Sequence, residues 1–174
     1  MSIRKRTLRI LSLAAILFPL FVFMTRSQGT GAVIIDEEHG TDSVQKDLTD
    51  CHYFPPVKSY KVSDAWDKET ASYKFFDGKD RIEIDGQLWK KLYRWDTKGR
   101  IQGEIEIALF YSNIIQKMGG KVLFYNICEN PNCGDRLGFK VLTATLTVNK
   151  KELWIEVSPY NDGFDYELIV VEKF

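Results

Sequence analysis

One break in hydrophobic rhythm limits the folds open to this chain. Between Gly103 and Met118 the apolar residues Ile107, Ala108, Tyr111, Ile114, Ile115 and Met118 recur at spacings of three and four, the period of an amphipathic helix. On both sides the period is two. Before the helix, residues 59–63, 71–76, 81–85 and 88–95 read as strands, with Ile82 and Ile84 alternating against Arg81, Glu83 and Asp85. After it, residues 121–125, 139–148, 152–158 and 164–172 read the same way, and Leu153, Ile155 and Val157 oppose Glu152, Trp154 and Glu156. A sheet needs a second layer against its apolar face, so the pattern predicts an α+β domain, one helix on a largely antiparallel sheet ending in a C-terminal β-meander.

The punctuation between these runs fits. Asp77-Gly78, Asp85-Gly86, Asn149-Lys150 and Asn161-Asp162-Gly163 stand where tight turns would join strands. Gly119-Gly120 supplies the left-handed backbone that ends a helix, and Lys117 in the last turn suits the helix dipole.

The N-terminus carries a different signal. Arg4, Lys5, Arg6 and Arg9 precede an apolar run over 10–24 that only Ser12 and Pro19 interrupt. A charged start followed by a short greasy stretch is the pattern of an export signal. A spanning helix needs about 20 apolar residues, which this run lacks. Small residues follow Arg26, offering cleavage after Gly29 or Ala32; the alternative is an uncleaved anchor making membrane contact through 10–24. The expected organisation is a signal peptide or anchor over 1–32, a polar tether over 33–50 and one domain over 51–174. The product is then periplasmic or secreted, or held at the inner membrane.

Removing 1–32 takes away five basic residues and no acidic one, leaving 19 Lys and Arg against 24 Asp and Glu. That acidic balance is a poor match for nucleic acid, whose phosphates demand clustered cations.

The C-terminal half resembles a known module. The Tyr111 helix ending in Gly119-Gly120-Lys121-Val122 is followed by Ala144-Thr145-Leu146, Trp154-Ile155-Glu156-Val157, Asn161-Asp162-Gly163 and the run from Tyr166 to Lys173. Together they are similar to the periplasmic module that precedes the peptidoglycan-binding domain in OmpA-like outer-membrane proteins. The resemblance spans about Asp50 to Phe174 and implies an envelope location. It carries over no catalytic residue, and the peptidoglycan-binding domain itself has no counterpart here.

Local chemistry is sparse. Cys128 and Cys133 flank Asn130-Pro131 in a chain bound for an oxidising compartment, so a disulfide across this small loop is the favoured reading, stabilising by about 2 kcal/mol. Redox catalysis fits less well, because the spacing is not C-x-x-C. Cys51, His52 and His39 are the remaining soft or imidazole ligands, so no metal or cofactor is assigned. No G-x-S-x-G or H-E-x-x-H occurs. Glu104 and Glu106, two apart on a helix, point to different sides and make a poor acid and base pair. Trp154 shares a parity with Glu152 and Glu156, which would put it on the exposed face as a binding surface for an envelope protein, glycan or lipid. The reading is a non-enzymatic binding or accessory module of the cell envelope. Its alternatives are an envelope-acting hydrolase-like enzyme and a membrane-anchored structural domain.

Overall fold

The computed structural model describes residues 49–174. The segments 1–32 and 33–48, and His39 with them, lie outside the described residues. In chain order the strands are β1 Tyr60–Ala65, β2 Lys68–Phe76 and β3 Arg81–Trp95, then helix α1 Glu104–Lys117. Four more strands follow: β4 Lys121–Ile127, β5 Lys140–Val148, β6 Lys151–Tyr160 and β7 Asp165–Lys173. Every pairing is antiparallel and the sheet runs β1-β3-β7-β6-β5-β4, with β2 also on β3. The fold is α+β.

Helix α1 is bounded by its own chemistry. Glu106 Oε2 accepts from the Gly103 amide at 2.9 Å, closing the first turn. At the other end Gly119 takes φ +83°, which lets Gly120 N reach Ile115 O and Gly119 N reach Gln116 O, at 2.8 and 3.0 Å. Ile107, Ala108, Tyr111 and Ile115 are fully buried against the sheet, whereas Met118, expected on the same face, is 44% exposed because it stands at the cap.

That face of the sheet is also covered by the segment leading into β1, through Cys51, Phe54 and Val57. Buried tyrosines fasten it there. Tyr166 Oη accepts from Val57 N at 3.1 Å, Tyr93 Oη accepts from Cys51 N at 3.3 Å, and Tyr111 Oη donates to Pro55 O at 3.2 Å. Each bond satisfies a polar group that apolar surroundings would otherwise penalise.

The turn expected at Asp85-Gly86 does not form. β3 runs straight through it, pairing Gly86 with both Ala71 and Lys173. The glycine answers a packing need instead, since a Cβ there would stand 2.7 Å from Val171 Cγ1 and 2.8 Å from Glu172 C. The consequence is one long strand whose N-terminal half projects beyond β7.

That half pairs with β2 to make a hairpin flap, and the flap packs on the second face of the sheet. Phe75, Ile84 and Leu88 meet Trp154, Ile169 and Val171 there in a second core. At the far edge Phe76 packs edge-on against Phe124 of β4, ring centres 5.0 Å apart. The central strands are therefore buried on both faces. The expectation that Trp154 stands exposed is corrected accordingly: it is 8% exposed, with the Phe75 ring 5.6 Å away.

Candidate functional site

A groove of about 680 Å³ lies where the flap meets the sheet. Its floor is built from second-face positions of two adjacent strands. Thr145 of β5 lies opposite Trp154 of β6, and Thr147 lies opposite Glu152. Cross-strand partners stand about 5 Å apart, so two hydroxyls, an indole and a carboxylate form one contiguous patch. Lys121 at the start of β4 lies opposite Thr145 on the other side.

One end of the groove is the C-terminus of α1. Gly120 makes this possible, because a Cβ there would stand 2.7 Å from Thr145 O and 2.5 Å from Ile115 Cγ2. The opposing wall is the flap, through Asp77 and Ile82.

Both carboxylates in the groove are already engaged. Asp77 Oδ1 accepts from the amides of Lys79 and Asp80 at 2.8 Å each, and these bonds hold its carboxyl below the usual range. Glu152 Oε1 accepts from Trp154 Nε1 at 2.7 Å, while Lys173 Nζ lies 3.4 Å from both its oxygens. Such groups serve as fixed hydrogen-bond acceptors.

A second polar constellation lies deeper under the flap. Glu156, 1% exposed, accepts from Arg136 Nε at 2.8 Å and from Tyr73 Oη at 3.0 Å. Arg136 also bonds Glu167, whose other oxygen lies 3.3 Å from Lys90 Nζ. Burial pushes the Glu156 carboxyl up against the pull of Arg136. Burial opposes the Arg136 charge too, yet Glu156, Tyr73 and Glu167 outweigh it and hold the guanidinium fully protonated. The cluster joins the loop of Arg136, strands β6 and β7, and the flap. Alternation along β6 places Glu156 in solvent, and no sequence signal links it to an arginine in a distant loop.

The cysteines divide. Cys128 and Cys133 are joined, with Cα atoms 6.2 Å apart and both side chains buried. Cys51 is a free thiol, 3% exposed, and burial raises its pKa, opposite to what a reactive nucleophile needs. The His52 ring packs tilted against Tyr53 and edge-on to Trp89, with centroids 4.0 and 4.8 Å away. Among the described residues no group of three or more His, Cys, Asp or Glu is placed to hold a metal ion. Glu104 and Glu106 part company, the first 3.7 Å from Lys140 and the second bonded to Arg100. Among the described residues no helix is long and apolar enough to cross a membrane.

No family model matches this chain, and no curated protein matches it.

Proposed function

We propose that the chain is an exported cell-envelope protein, periplasmic or secreted, acting as a non-enzymatic binding or accessory module whose groove holds a hydroxyl-rich glycan. The observation that carries this reading is the floor of the groove, where Thr145, Thr147, Glu152 and Trp154 line up as two cross-strand pairs beside Lys121 and Asp77. A row of mixed donors and acceptors suits a polyhydroxylated chain better than a lipid tail, which would need an apolar lining. Trp154 contributes an edge to this surface rather than a stacking face, because Phe75 and the flap cover it. The settled hydrogen bonds of Asp77 and Glu152 favour binding over hydrolysis.

Export is supported by the cationic and apolar start of the chain and by the small disulfide loop. An envelope setting is supported by the likeness of residues 50–174 to the periplasmic module of OmpA-like proteins. Retention by an uncleaved 10–24 segment would leave the same module facing the same compartment.

Calorimetric titration of the full chain with a β-1,4-linked N-acetylglucosamine tetramer tests the reading. Saturable binding is expected, weakened at least about tenfold by Thr147→Arg, which fills the groove from an exposed position. No heat of binding at any concentration would overturn it.

A further inference from the structure

The disulfide loop and the flap touch at several points. Asn132 Nδ2 donates to Lys79 O at the flap tip, 3.2 Å. Gly134 abuts the Arg81 guanidinium. Arg136 reaches Tyr73 Oη at 3.4 Å while bonding Glu156 and Glu167. The disulfide itself lies in a third small core with Phe76, Val141 and Phe124, so Phe76 of the flap and the two cysteines share one apolar cluster. Asn132, Gly134 and Arg136 all belong to the turn Pro131–Arg136 that begins inside the disulfide loop.

We propose that joining Cys128 to Cys133 latches the flap, so that the groove is completed only in an oxidising compartment. The functional consequence rests on the reading of the groove as a binding site, because Asp77 and Ile82 of the flap are its wall. The latching itself does not depend on that reading.

The physical argument is one of order. With the sulfurs joined, the positions of Asn132 and Arg136 are restricted before they meet the flap, so little entropy is lost when the contacts form. With two free thiols the same contacts must order a flexible loop. Loss of Arg136 from the cluster would also leave Glu156 buried without its cation, which favours lifting the flap to admit water.

The chemistry balances as thiol–disulfide exchange. A thiolate of one cysteine attacks a donor disulfide and gives a mixed disulfide, releasing one donor thiol. The second cysteine thiolate then displaces the remaining donor sulfur. Two electrons and two protons pass to the donor, which leaves as a dithiol, and a dithiol reductant reverses both steps. Because Cys128 and Cys133 are 0% and 1% exposed, each exchange requires the flap to open locally.

Hydrogen exchange on the full chain decides the matter, in the oxidised form, after dithiothreitol, and in the Cys128→Ser, Cys133→Ser double variant. Reduction is expected to speed exchange of flap amides over 71–84 on the order of tenfold. The amides of α1 and β7 should hold their oxidised rates. Unchanged flap exchange in both thiol-free and reduced forms would overturn the latch, as would a uniform rise across the sheet. Glycan titration of the same samples separates the two readings. If the oxidised protein fails to bind while flap exchange still responds to reduction, the groove's function falls and the latch stands. Equal binding and equal flap exchange in oxidised and reduced protein would remove the latch alone.

Discussion

Arg136, at the end of the turn that begins inside the disulfide loop, donates through Nε to the buried Glu156 carboxylate at 2.8 Å, across twenty residues of chain. Around that bond the flap, the loop and strands β6 and β7 meet.

Arg136→Gln should therefore destabilise the fold strongly. Removing one partner of a buried pair leaves an uncompensated charge, at a cost of about 3 kcal/mol. Urea unfolding followed by tryptophan fluorescence measures it. A double change of Arg136→Gln with Glu156→Gln should recover part of the loss, and an unaltered midpoint for the single variant would show that the network contributes little.

Gly86 offers a test of the long β3 strand. Gly86→Ala drives a methyl group against Val171 and the Glu172 backbone, which overpacking data price at about 2 kcal/mol. If residues 85–86 formed a turn, the substitution would cost far less. Thermal unfolding of the alanine variant distinguishes the two.

Alkaline pH should unfold the protein in one step. Burial lifts the phenols of Tyr93, Tyr111 and Tyr166 above their ordinary value of 10.0. The folded state keeps protons that the unfolded chain gives up above that value, so stability is intact below about pH 10 and falls as pH rises through and beyond it. Phenolate absorbance should grow together with the loss of far-ultraviolet dichroism. Gradual titration of these tyrosines in a folded protein would contradict their burial.

Periodicity and turn chemistry carried much of this architecture. The helix lies within a residue of the span its spacing predicts, because the Gly103 cap and the Gly119-Gly120 end are local devices. The strands after it follow their alternation closely. What sequence could not convey was the second layer. An alternating strand is read as half exposed, yet Trp154 and Glu156 are buried by a flap that arrives from eighty residues upstream. The unbroken apolar run Leu168-Ile169-Val170-Val171 was the one local sign of a strand covered on both faces. Asp85-Gly86 misleads for a related reason, since a glycine needed for close backbone approach looks the same as one needed for a turn. The groove depends on the flap as well, and so had no signature of its own.

Its role is most directly tested by mapping backbone amide shifts of the isotopically labelled full chain during addition of the N-acetylglucosamine tetramer. Saturable shifts are expected at Lys121, Thr145, Thr147, Glu152 and Trp154, and at Asp77 on the flap, with the helix-side residues Ile107 and Tyr111 unmoved. A saturable response confined to another surface, or none at all, would contradict the assignment of this groove as the binding site.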